Sequence, residues 1–131
     1  MFSPAWADAF LDAVNRDVEY RDVAKGWTNP VALVVEPEAG VTDAVAVQVD
    51  LKAGTCVSAA ALAPDDVSAP FVLTGDLAAW KDILGGSSDP IMAVARGKVK
   101  LTRGSLTTLM LHAKAARALL ACAQAVETCW P

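Results

Sequence analysis

Along residues 71–103 the spacing of apolar and polar positions switches repeatedly between that of a strand and that of a helix. Phe71 and Leu73 alternate with Val72 and Thr74, a period of two that predicts a strand over Pro70–Thr74. Gly75-Asp76 then opens a helix in which Leu77, Trp80, Ile83 and Leu84 share one stripe, and Gly85-Gly86 stops it. Asp89 is placed to cap a second short helix with Pro90 at its first position, and Gly97 ends it. Lys98-Val99-Lys100-Leu101-Thr102 alternates polar and apolar residues, as a half-buried strand does. Two small helices thus present apolar surface to a sheet, an arrangement suited to an apolar pocket.

The flanking segments extend this pattern. Ser3-Pro4 starts a helix whose stripe runs through Phe2, Trp6, Ala9, Phe10 and Ala13. Residues Arg16–Lys25 carry Asp17, Glu19, Arg21, Asp22 and Lys25 and read as a solvated turn or short helix. Strands are predicted over Val31–Glu36, closed by Pro37-Glu38-Ala39-Gly40, and over Val45–Leu51, where valines and a leucine alternate with Ala46, Gln48 and Asp50. The turn Lys52-Ala53-Gly54 makes Thr55–Ala63 the antiparallel hairpin partner of that second strand. This third strand uses small residues, Ala59, Ala60 and Ala61, where bulk is usual. The sum is an α+β single domain spanning residues 1–131, with five strands in one mostly antiparallel sheet covered by helices.

The last helix, over about Ser105–Glu127, is apolar on two faces. Leu106, Leu109, Met110, Ala113, Ala116 and Leu120 form one; Leu111, Ala115, Ala118, Leu119, Cys122 and Val126 form the other. A surface helix needs one apolar stripe. The second face predicts burial between the sheet and the N-terminal helix, a bound ligand, or a partner chain.

Composition narrows the function. The chain has 131 residues, of which 54% are hydrophobic, and a net charge of −4. No apolar run reaches the ~18 residues that span a bilayer, and the N-terminus lacks the basic-then-apolar pattern of a secretory signal, so the expected compartment is the cytoplasm without stable membrane insertion. Without a basic cluster interleaved with aromatics, nucleic acid is not an expected partner. Cys56, Cys122 and Cys129 are odd in number and lack a Cys-x-x-Cys spacing, which argues for small buried hydrophobes rather than a disulfide or zinc framework. His112, the single histidine, stands in no nucleophile motif, and no phosphate-binding loop or metal-ligand spacing is present. No enzyme activity, cofactor or metal is therefore expected.

The stretch from Ala44 to Cys122 resembles the sterol-carrier-protein type-2 family of lipid-transfer domains. The likeness rests on Phe71-Val72-Leu73-Thr74-Gly75-Asp76, Trp80, Ile83-Leu84-Gly85-Gly86, Asp89-Pro90 and Arg96-Gly97-Lys98-Val99-Lys100-Leu101, in that order. It implies a sheet covered by helices and enclosing an apolar tunnel for a fatty acid, fatty acyl-CoA or sterol. The chain departs from the family pattern at Arg103 and Ser105, where Gly-Asp usually follows the fifth strand directly. Ala95 is smaller than the residue often found at that position, which widens or reshapes the pocket. A Ser-Lys-Leu-like peroxisomal address is replaced by Trp130-Pro131.

On this reading the ligand-binding wall comprises Phe71, Leu73, Trp80, Ile83, Leu84, Ile91, Met92, Val94, Leu106, Leu109, Met110 and Ala113. Each methylene moved from water into such a wall contributes about 0.8 kcal/mol, so affinity requires no catalytic group. Arg96, Lys98, Lys100 and Arg103 are candidates for a charged head group or for the solvated side of an edge strand. The expected function is a lipid-binding or lipid-transfer protein. The alternative is an interaction or dimerisation module with the tunnel packed shut, meeting a second copy or a partner enzyme through the C-terminal helix.

Overall fold

The structure, a computed structural model, describes residues 3–36 and 45–126. The predicted turn at Pro37–Gly40, Cys129 and Trp130 lie outside these residues.

Helix termini follow the capping chemistry of the sequence. Ser3 Oγ accepts from Trp6 N at the start of α1 (Pro4–Arg16). Asp17 closes α1 and also caps α2 (Val18–Val23), accepting from Tyr20 N at 2.8 Å. The first three strands follow: β1 (Val31–Val35), β2 (Val45–Lys52) and β3 (Thr55–Leu62). Next come β4 (Phe71–Gly75), α3 (Leu77–Leu84), capped by Asp76, and α4 (Pro90–Ala95), capped by Asp89. β5 (Val99–Arg103), α5 (Leu106–Leu111) and α6 (Ala113–Gln124) complete the described chain.

The sheet has the order β3-β2-β1-β4-β5. All neighbours are antiparallel except β1 and β4, which run parallel with Leu33 opposite Leu73. The sheet is therefore mixed and mostly antiparallel. The parallel pair is possible because the chain leaves β1 for the β2–β3 hairpin and returns to β1's other side. It sits at the centre, where both faces are covered: every residue of β1 is buried.

The two faces have different covers. Leu33, Val47, Val49, Phe71 and Leu73 belong to the main core beneath the helices. Ala32, Val34, Ala46 and Val72 face the other way and pack with Val67 and Ala69. That second cover is the segment before β4, which Gln48 Oε1 holds by accepting from Ser68 N and Ala69 N. Arg103 donates to the carbonyls of Val67 and Ala69 from the edge strand.

The long C-terminal helix of the sequence reading is two helices. They meet at His112 (φ −112°, ψ 31°), although no glycine or proline stands there. The His112 ring lies edge-on to Trp27 at 5.2 Å, so tertiary packing, not local propensity, accompanies the break. The two predicted apolar faces are consequently redistributed. Ala115, Ala118, Leu119, Leu120 and Cys122 all become buried, while Leu106, Met110 and Leu111 are exposed.

Candidate functional site

Between the sheet and the helices lies an apolar cavity. Its floor is Val31 of β1, Leu51 of β2 and Leu73 of β4. Ala115, Ala116, Leu119 and Leu120 of α6 form the roof, and Pro90, Ile91 and Val94 of α4 form one wall with Leu109 of α5. Tyr20 of α2, Trp27 and His112 complete the lining. The strand and helix periods explain the assembly. Val31 and Leu73 share the inward side of the parallel pair, and Ala115/Leu119 and Ala116/Leu120 repeat at four residues along α6.

Two glycines allow close approaches between the elements that surround the cavity. At Gly54 (φ +92°) a Cβ would come within 2.6 Å of the Arg21 carbonyl oxygen, so the β2–β3 turn packs directly on α2. At Gly104 (φ +108°) a Cβ would come within 2.6 Å of the Phe71 ring, so the chain can turn from β5 into α5 over the start of β4. The backbone of Ala53 also donates to Trp27 O, fixing the loop that carries Trp27.

The side chains of the lining that carry polar atoms are Tyr20, Trp27 and His112. The hydroxyl of Tyr20, a fully buried side chain, has no hydrogen-bond partner among the described residues. Burial, with the nearby Cys56 and Cys122 thiols, pushes its pKa up. Cys56 is raised to about 11, chiefly by burial, and its Sγ donates to Ser58 O. Cys122 is raised to about 12 by burial and by its hydrogen bond to the Asp17 carboxylate. Both cysteines are the small buried groups the sequence suggested, and both are thiols at neutral pH rather than nucleophilic thiolates.

The twelve wall residues expected from the sequence fall into three groups. Leu73, Ile91, Val94 and Leu109 line the cavity. Phe71, Trp80, Ile83 and Leu84 are buried in the main core outside that lining; Trp80 donates from Nε1 to Val34 O, and Ile83 O accepts from Gln124. Met92, Leu106 and Met110 are exposed on α4 and α5, and Ala113 is half-buried at the start of α6. The expected wall omitted Val31, Leu51 and Pro90, His112 and the α6 residues Ala115, Ala116, Leu119 and Leu120, and it also omitted Tyr20 and Trp27. The signal for Tyr20 and Trp27 was present: Tyr20, Ala24 and Trp27 are spaced i, i+4, i+7 and all are buried. The charges between them drew the segment toward a solvated reading.

A second concavity, of about 350 Å³, lies where β4 passes into α3. Glu36, Asp76, Asp82, Lys98 and Lys100 line it. Lys98 and Lys100 thus belong to this groove, while Arg103 is tied to the carbonyls of the segment before β4. Neither arrangement brings these cations into the lining of the apolar cavity. No cluster of three metal-ligating side chains occurs among the described residues. No helix among them is long and apolar enough to cross a membrane.

Comparison with known proteins places this architecture. Residues 8–116 match the model of the SCP-2 sterol transfer family. A crystal structure of sterol carrier protein 2 is 36% identical and superposes with a TM-score of 0.91, over 97% of this chain and 99% of that one. The solution structure of a Thermus thermophilus protein, described as a candidate sterol carrier protein, is 34% identical with a TM-score of 0.90, over 98% and 91%. Sterol carrier protein 2 from Yarrowia lipolytica, at 18% identity and a TM-score of 0.59 over 89% and 88%, shares the fold. No curated protein matches the chain. Fold and family model together define an α+β domain of the sterol-carrier type. The chain belongs to the SCP-2 sterol transfer family.

Proposed function

We propose that this protein carries one lipid molecule in the cavity beneath α6 and exchanges it with other lipid-bearing surfaces, without catalysing a reaction on it. The observation that carries the reading is the lining: aliphatic and aromatic side chains from every layer converge on one internal space, in a chain of this family. Ligand sites for apolar molecules are concave, mostly apolar and provided with few polar groups.

The cavity has a volume of about 30 Å³, on a measure by which a single water needs ~10–15 Å³. A lipid chain therefore requires the walls to move. The walls suited to movement are α4 and α5, each six residues long. Helices of under two turns have little stability of their own and depend on packing. Met92, Leu106, Met110 and Leu111 are exposed on these same two helices, which also carry the lining residues Ile91, Val94 and Leu109. In this reading the expected wall residues Leu73, Ile91, Val94 and Leu109 hold the chain. Met92, Leu106, Met110 and Ala113 border its entry, and Phe71, Trp80, Ile83 and Leu84 support the wall from behind. An acyl chain burying about ten methylenes gains about 8 kcal/mol gross, enough to offset displacement of two short helices.

The test is native mass spectrometry of the detergent-free protein, followed by denaturation and organic extraction, with fatty acid, acyl-CoA and sterol added to separate samples. One lipid per chain is the expected result. A clean protein mass with no uptake of any of the three would overturn the proposal in favour of a closed interaction module.

A further inference from the structure

We infer that Tyr20 is an internal head-group anchor, and that it selects lipids whose buried polar group is neutral (an alcohol, ester or protonated acid) over lipid anions. The inference rests on lipid carriage in the cavity and adds what the ligand must carry at its inner end.

Three observations converge. Tyr20 lines the cavity with its side chain fully buried, yet its hydroxyl has no partner among the described residues. Buried polar atoms are almost always paired, because an unpaired one keeps the full cost of its desolvation. A ligand oxygen would supply the missing partner, and a chain reaching it would gain a hydrogen bond that a hydrocarbon cannot make. Next, Tyr20 is held rigidly: Asp17 caps its backbone N–H, and the Gly54 turn packs against the neighbouring Arg21 backbone. A fixed donor loses little freedom on binding.

The third observation concerns charge. No lysine or arginine lines the cavity among the described residues. The groups around Tyr20 are instead neutral thiols backed by carboxylates. Cys122 donates to Asp17, Cys56 feels Asp50, and Glu19 acts on Cys122. A carboxylate brought beside the Tyr20 hydroxyl would meet these acidic neighbours with no lysine or arginine in the lining to offset them, His112, edge-on to Trp27, being the one basic side chain there, in a site of low dielectric. A neutral oxygen meets no such penalty.

The experiment compares uptake of hexadecane, 1-hexadecanol, methyl palmitate and palmitate at pH 9, each delivered from cyclodextrin, by wild-type protein and Tyr20→Phe. The substitution removes a single oxygen from a ring that stays in place. Wild type should prefer hexadecanol and methyl palmitate to hexadecane by roughly tenfold, the scale of one buried hydrogen bond, and palmitate anion should rank below both. Tyr20→Phe should erase the preference while still taking up hexadecane. Equal uptake of all four, preference for the anion, or an unchanged preference in Tyr20→Phe would overturn the anchor and leave lipid carriage standing. Failure of wild type to take up any chain would overturn both.

Discussion

The groove between Glu36, Asp76 and Asp82 on one side and Lys98 and Lys100 on the other holds about 350 Å³, against about 30 Å³ for the cavity under α6. By size alone the groove is the site. Their chemistry reverses that ranking. The groove carries both signs of charge on largely exposed side chains, and in water such charges attract only weakly and are screened further by salt. The cavity is lined by side chains from the sheet, α2, α4, α5 and α6. Each apolar atom it buries against a ligand gains hydrophobic free energy that an open polar groove cannot supply. The difference teaches that a binding site for an apolar molecule is recognised by what its walls exclude. Its resting volume is a poor guide where the walls are short helices.

The strongest way to break the comparison is to put a charge where the cavity is dry. Leu119→Asp should cost about 3–5 kcal/mol, because the carboxylate would be buried among aliphatic side chains with no counter-charge. Urea denaturation should show the loss, and unchanged stability would mean that this part of α6 is wet. An alkaline titration probes the same dryness without mutation. Cys56 and Cys122 have pKa values of about 11 and about 12 in the folded protein against an ordinary value of 9.0. Above pH 9 the unfolded chain releases those thiol protons while the folded chain keeps them, so the raised pKa values cost stability progressively as pH rises toward 12. The urea midpoint should therefore fall across that window, less in Cys122→Ala and less again in the double variant with Cys56→Ala; an equal fall in all three would mean that these thiols are not buried in the fold.

Smaller changes sharpen the picture. Ala116→Leu should fill the cavity and sharply weaken lipid uptake, with an overpacking cost of about 1–3 kcal/mol. Retained uptake would place the ligand elsewhere. Tyr20→Phe should raise stability in the ligand-free protein by about 1 kcal/mol, since it deletes an unpaired buried hydroxyl. A loss of stability would reveal a hydrogen bond at that oxygen. Lys98→Ala, in the groove, should alter stability by less than about 0.5 kcal/mol and leave uptake unchanged.

Much of the fold was legible because it is written in local chemistry. Ser3, Asp76 and Asp89 are capping residues wherever they precede an apolar stripe, and the alternation in residues 45–51 and 98–102 leaves little choice but strands. The position of β4 beside β1 was not legible, since nothing in either strand specifies a parallel neighbour. Neither was the break at His112, which no local residue imposes. Of the expected wall, Leu73, Ile91, Val94 and Leu109 line the cavity because strand and helix periods put them inward. Met92 and Met110 are apolar in the same sequence pattern but sit on the outer sides of helices that end within two turns. Tyr20 and Trp27 escaped because their stripe is interleaved with Glu19, Arg21, Asp22 and Lys25, and short charged segments look solvated until something packs on them. The face formed by Leu111, Leu119, Cys122 and Val126 shows the same limit. Leu119 and Cys122 turn inward within the single chain, while Leu111 is 79% exposed.

The most direct measurement is an isotope-filtered NOE experiment on labelled protein holding an unlabelled sixteen-carbon lipid. Contacts from the lipid chain to the methyl groups of Leu51, Leu73, Val94 and Leu120 are the predicted result. Contacts confined to Ala78 and Ala79 of the charged groove, with none to those four residues, would contradict the assignment of the lipid to the cavity.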